Sequence, residues 1–197
     1  MPISLSLPLI LASASPRRKE LLRLAGLPFK VKPAQVDEAA RRGETPQDHV
    51  RRLSLEKAHA VALENPASVV LGADTIVVID GIILGKPENK KQAREMLRKL
   101  SNRSHTVFTG YTLSCVAEKI CRTGIARSCV RFKNIEPEEI NWYINTNEPY
   151  DKAGGYAAQG QGAAFIRSIS GSYTNVIGLP LANVLDMLKR MNVLRYT

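Results

Sequence analysis

The sequence predicts an α/β fold around a mixed sheet, on three observations. Short β-branched or apolar runs alternate with segments of helical periodicity. Capping and turn residues stand at the junctions between them. Strands and helices do not alternate strictly, so the sheet is expected to be mixed rather than wholly parallel. At 197 residues the chain suits one domain over residues 1–197, or two lobes sharing a central cleft.

The elements follow in order. PLILAS (8–13) reads as a buried strand, and the whole opening ISLSLPLILASAS as strand rather than signal peptide, because it lacks a basic leader. Ser15 and Pro16 form an N-cap and first helical position for RRKELLRLA, which Gly26 stops. PFKVKPAQV reads as a second strand leading into an acidic loop, Asp37-Glu38. Thr45-Pro46 opens a long amphipathic helix with Val50, Leu53, Ala58 and Val61 on its apolar face. Two histidines, His49 and His59, lie on that helix and are expected to be solvated or capping. SVVLGADTIVVIDGIILGKP holds two β-branched runs joined by a type I′ turn at Asp80-Gly81. A polar helix to Leu100, strands near 104–116 and 122–132, and a helix opened by Glu136-Pro137 come next. Glycine-rich loops, a strand in AAFIRSI and a closing helix LANVLDMLKRM, with Val184, Leu185 and Leu188 on one face, complete the chain.

Composition narrows the function. A hydrophobic fraction of 44% with 23% charged residues describes a globular protein rather than a disordered one. No apolar run reaches the roughly 20 residues that span a bilayer, so no membrane is expected. The formal charge of +10 suits a polyanion, whether nucleic acid, membrane surface or polyphosphate. With only 6% aromatic residues, none interleaved with the basic runs, the pattern argues against a nucleic-acid partner. Cys115, Cys121 and Cys129 have no CxxC spacing and no histidine cluster, which argues against zinc and for a reduced, cytoplasmic protein with thiols on paired strands.

Five places can carry chemistry. SASPRR (13–18) gathers hydroxyls, helix N-terminal amides and two guanidiniums, an anion site or simply a cap with solvated arginines. Asp74, just past the VVL run in GADT, suits a general base or metal ligand, or else an Asx-turn. Lys86 in GKP can reach a phosphate or stand in solvent. Asp37-Glu38 offers hard carboxylates for Mg²⁺ or Mn²⁺, or is an ordinary loop. Glycines 154, 155, 160 and 162 around Gln159 allow close backbone approach to a ligand, with Lys152, Gln159 and Tyr173 for polar contacts, or form a loop only. GxSxG, HExxH and GxGxxG motifs are absent from the sequence, so nucleophilic serine or cysteine chemistry has no visible base. Metal-assisted attack of water on a phosphoryl group fits better.

LILASASPRRKELL, LEKA, LGADTIV, GKP, HTVFTGY, EPYDKAGGYAAQG and GSYTNVIGLP occur in this order. Together they resemble the Maf (septum formation) family of nucleotide pyrophosphatases along nearly the whole chain. The resemblance implies a two-lobed α/β fold related to the inosine triphosphate pyrophosphatases, and cleavage of a nucleoside triphosphate to the monophosphate and pyrophosphate. It implies a divalent cation, Mg²⁺ or Mn²⁺, held by Glu38 and Asp74, with Asp74 taking the proton of the attacking water. Ser13, Arg17, Arg18, Lys57 and Lys86 would surround the triphosphate. At Arg17, Thr75 and Gln159 the chain looks like the branch selective for dTTP and UTP. The sister branch acting on 7-methylguanosine triphosphate carries Trp, Gln and Glu at those positions. A Trp face suits a methylated cationic purine, while a Gln amide both donates and accepts, matching a pyrimidine edge. The alternatives are the same chemistry on another base, or a non-enzymatic nucleotide-binding or nucleic-acid-binding regulator of cell division. A homodimer is left open.

Overall fold

The computed structural model describes residues 3–196. Its strands pair in the order β3 (Lys30–Val31), β2 (Leu9–Leu11), β4 (Val69–Ile79), β6 (Ser104–Cys115), β7 (Ile120–Phe132) and β8 (Ile166–Ser170), with β5 (Ile82–Leu84) added to β4, and a separate two-stranded ribbon joins β1 (Ile3–Leu5) to β9 (Leu194–Tyr196). The sheet is mixed and helices flank it, as the sequence predicts. The chain forms two compact units: residues up to Asp74, Thr109–Ala126 and from Gly178 onward in the first, Thr75–Phe108 and Arg127–Ile177 in the second.

In the first unit β2 (Leu9–Leu11), buried throughout, runs parallel to β3 (Lys30–Val31) and to the start of β4 (Val69–Ile79). Helix α1 (Pro16–Leu24) has both expected terminal signals. Ser15 accepts from the Arg18 amide, and Gly26, at φ +69°, bonds back to Arg23. Helix α2 (Pro46–Glu64) starts at Thr45, whose hydroxyl accepts from the Asp48 amide. Its buried face includes all four expected apolar residues, and also Ser54 and Lys57. His49 is buried, contrary to the sequence reading, whereas His59 is exposed. Helix α6 (Leu181–Arg190) buries Val184 and Leu188 and leaves Leu185 half-buried.

Glycine sets how closely α2 approaches the sheet. A Cβ at Gly72 on β4 would lie 2.2 Å from the Ser54 carbonyl oxygen, and one at Gly110 on β6 (Ser104–Cys115) 2.0 Å from that of Val50. Backbone therefore meets backbone, and Lys57 on the helix reaches Asp74 on the strand.

The second unit contains the end of β4, which turns through Asp80 and Gly81 (φ 53° and 73°) into β5 (Ile82–Leu84). Both central residues take positive φ, as a type I′ turn demands. Helices α3 (Lys90–Leu100) and α4 (Pro137–Tyr143) cover a core that includes Leu97, Val107, Phe132, Tyr143 and Phe165. Strand β7 (Ile120–Phe132) pairs antiparallel with β8 (Ile166–Ser170), with a bulge at Arg131/Phe132. Helix α5 (Tyr173–Ile177) closes the unit.

Four elements depart from the sequence reading, one of them α5, which begins where a glycine-rich loop is expected. The opening splits into β1 (Ile3–Leu5), paired antiparallel with β9 (Leu194–Tyr196), and β2. The second strand shrinks to Lys30–Val31, both exposed, and Pro33, which lacks a donor, follows it closely. AAFIRSI begins as a 3₁₀ turn, Gln161–Phe165, and only then becomes strand.

Candidate active site

At the end of β2 the chain turns through Ser13 into α1. The buried Ser13 hydroxyl accepts from the Ser15 amide at 3.2 Å and from Arg18 Nη1 at 3.0 Å. Arg18 Nε donates to the Gly178 carbonyl at 2.9 Å, so the guanidinium is oriented through two of its nitrogens. Burial pushes the Arg18 guanidinium below its ordinary range, Asp74 opposes that, and neighbouring Arg17 adds to it. Two crowded cations at a helix N-terminus favour an anion.

Beside this turn stands a carboxylate–ammonium cluster. Lys57 Nζ lies 2.8 Å from Asp74 Oδ1 and 2.5 Å from Glu38 Oε1. Lys57 and Asp74 are buried, whereas the Glu38 side chain is 56% exposed. Their spacing in sequence hides this cluster; the close seat of α2 on β4 creates it.

Glu38 sits on a loop without regular structure, anchored by groups that the sequence reading did not single out. Arg52 clasps Glu44 through Nε at 2.6 Å and Nη2 at 2.9 Å, and Nη2 also donates to the Ala39 carbonyl at 3.0 Å. The Arg52 bond, foremost, holds the Glu44 carboxyl well below the usual range. His49 Nδ1 meets the same carboxylate at 3.0 Å, which explains its burial. Glu56 accepts from Arg41 and Arg52. The sequence signal for this network was the Arg52–Glu56 spacing of four on a helix.

The other three expected residues belong to the second unit. Thr75 is half-buried on β4, directly after Asp74. Lys86 is exposed just past β5, where the Gly154 amide bonds to the Gly85 carbonyl at 2.9 Å. Gln159 is exposed on the loop after Ala158. The glycines near it do not simply leave room for a ligand. A Cβ at Gly160 would meet Glu148, and one at Gly162 the Tyr143 hydroxyl. Lys152 donates to the Glu148 carbonyl and pairs with Asp151, and Tyr173 is half exposed. A cavity of about 360 Å³ in the first unit, lined by Tyr111, Arg122, Asn183 and Arg190 among others, contains none of these site residues.

Comparison with known proteins shows the family. The chain is 56% identical over 189 residues to the dTTP/UTP pyrophosphatase of Syntrophus aciditrophicus (strain SB), covering 96% of this chain and 92% of that one. It is 51% identical over 180 residues to the protein of the same name from Symbiobacterium thermophilum, covering 91% and 92%. Among solved structures, a HAM1 protein from Coxiella burnetii shares the fold at a TM-score of 0.52 and 18% identity, covering 93% of this chain and 99% of that one. The family model described as Maf-like protein matches residues 8–191, and the chain belongs to the Maf family.

Proposed function

We propose that this protein hydrolyses dTTP and UTP between the α and β phosphates, releasing the nucleoside monophosphate and pyrophosphate. The observation that carries the reading is the buried Lys57–Asp74 pair beside the Ser13–Arg18 turn. Membership of the family and the names of its relatives support it. Arg17, Arg18 and Lys57 draw the triphosphate in and offset its charge, with Ser13 donating to a phosphate oxygen. Asp74, oriented by Lys57, takes a proton from water as the water oxygen bonds to the α phosphorus. The bond from that phosphorus to the bridging oxygen breaks, and pyrophosphate leaves with that oxygen. Lys86 is assigned to the phosphates, and Arg17, Thr75 and Gln159 to the base, on the family resemblance.

Glu38 and Asp74 would hold a divalent cation, Mg²⁺ or Mn²⁺. Both carboxylates already converge on one cationic group, the Lys57 ammonium, and both offer hard oxygen donors. Among the described residues no cluster of three or more His, Cys, Asp or Glu side chains could hold a metal ion, so phosphate oxygens and waters would complete the shell. Such an ion would offset charge on the phosphoryl oxygens and orient the triphosphate. Among the described residues no helix is long and apolar enough to cross a membrane. A cytoplasmic location, with a nucleotide as the partner, completes the proposal.

The test is product analysis with dTTP and UTP, for wild type, for Asp74→Asn and after EDTA. The expected products are the monophosphate and pyrophosphate. Asp74→Asn should lose about 10²–10⁴ in kcat while staying folded, and EDTA should abolish turnover. Near wild-type turnover by Asp74→Asn, or orthophosphate with a diphosphate as first products, would refute the reading.

A further inference from the structure

The loop that carries Gln159 is fastened on both sides to a single pair of side chains. Tyr143, the last residue of α4, donates its phenolic hydrogen to Glu148 Oε1 at 2.8 Å. The same oxygen accepts from the Gly162 amide at 2.9 Å, and Oε2 accepts from the Gln161 amide at 2.9 Å. On the other side of the loop the Ala157 amide donates to the Tyr143 oxygen at 3.1 Å. Amides at 157, 161 and 162 thus all end on one phenol–carboxylate pair. Gln159 lies between them, exposed.

The chemistry of the pair is matched to this task. An ionised carboxylate is acceptor only and can take several donors, and such charge-assisted bonds are stronger than neutral ones. Burial pushes the Glu148 carboxyl up, but the Gly162 and Gln161 amides and the phenol outweigh it and hold the group below its usual range. Burial, and then the Glu148 carboxylate, push the Tyr143 phenol far up, so it remains a donor. Its ring is fully buried and packs edge-on against Phe165 at 5.0 Å, which fixes the hydroxyl. The glycines complete the fit. A Cβ at Gly160 would come within 2.4 Å of Glu148 Oε2, and one at Gly162 within 2.7 Å of the Tyr143 oxygen.

We infer that Tyr143 and Glu148 are positioning residues that set base selectivity by holding the Gln159 loop in one conformation. The inference rests on the reading of Gln159 as the residue that meets the base. An amide discriminates between bases only if a mismatch leaves polar groups unpaired. A loop free to shift would find other partners for them, and the discrimination would be lost. Tying down both sides before substrate arrives removes that freedom and the entropy of ordering the loop on binding.

Glu148→Gln tests the inference, because it keeps the shape but turns Nε2, a donor, toward an amide donor. Tyr143→Phe keeps the ring packing and removes the hydroxyl, and serves if Glu148→Gln does not fold. Three quantities are measured: kcat/KM for dTTP and dGTP, amide hydrogen exchange at 157, 161 and 162, and the same kinetics for Gln159→Glu. The expected result is faster exchange at those amides and a fall of about tenfold in the dTTP-to-dGTP ratio of kcat/KM, a ratio that a general loss of stability would leave unchanged. If Gln159→Glu changes the ratio while both clamp variants keep it, the clamp inference is overturned and the role of Gln159 stands. If Gln159→Glu also leaves it unchanged, the reading of Gln159 fails, and the clamp as a selectivity device fails with it. Unchanged exchange in the clamp variants would overturn the inference as well.

Discussion

A buried imidazole has to find partners for two ring nitrogens, and His105 finds one. Its Nε2 lies 2.7 Å from the Tyr156 hydroxyl, while Nδ1 is buried with no hydrogen-bond partner among the described residues. The ring stands edge-on to Phe132 and Tyr156, at 4.9 and 5.3 Å. Burial lowers its pKa to about 4, against about 6.5 in an unfolded chain. The folded protein therefore keeps His105 neutral where the unfolded chain would already be protonated. Its contribution to stability is full above about pH 6.5 and is lost as pH falls toward 4, an effect of up to about 3 kcal/mol. Replacing His105 by Gln should flatten the fall in unfolding free energy between roughly pH 6.5 and 4.5, since Gln carries no titrating group. Urea unfolding of both proteins across that range measures it. Equal slopes in the two would show that His105 is not the group that titrates.

At the scale of elements, the seat of α2 on the sheet decides whether a site exists. The helix lies close enough that Gly72 has no room for a methyl group, with Ser54 O and Ala58 N at 2.2 and 2.5 Å from where it would be. A chain of hydroxyls from Ser54 through Thr112 to Thr123, at 3.0 and 2.9 Å, links the same helix to β6 and β7. Gly72→Ala should push the helix off the strand, cost about 2–3 kcal/mol in stability, and separate Lys57 from Asp74. Gly81→Ala is the control. Its turn glycine has positive φ but open space around it, so the cost should be only about 1 kcal/mol with activity retained. Chemical denaturation and turnover of the two variants decide the matter, and equal, mild effects would mean that the close approach does not govern the site.

For the whole molecule, 28 Lys and Arg residues against 18 Asp and Glu leave a formal charge of +10. A field of that sign speeds the encounter with a polyanionic substrate, and salt screens it within about 8–10 Å at physiological strength. Raising NaCl from about 0.05 to 0.5 M should therefore lower kcat/KM for dTTP more than kcat, because capture is screened more than the reaction of bound substrate. A kcat/KM indifferent to salt would show that the excess charge plays no part in capture.

What the sequence determined by itself was local or linear. Ser15, Pro16 and Gly26 set the ends of α1, Asp80-Gly81 set the hairpin turn, and Val50, Leu53, Ala58 and Val61 set the buried face of α2. The ordered motifs were enough to indicate the family. These signals depend on neighbours within a turn or two of chain, so they survive without a fold. Tertiary structure alone decided the rest. It joined Ile3 to Tyr196 and brought Glu38, Lys57 and Asp74 to one point. It also turned the glycines at 160 and 162 from apparent ligand space into the bed for Glu148 and Tyr143. In each of these cases the partners are brought together by how closely elements pack, and no periodicity or capping residue in one segment encodes the distance to another.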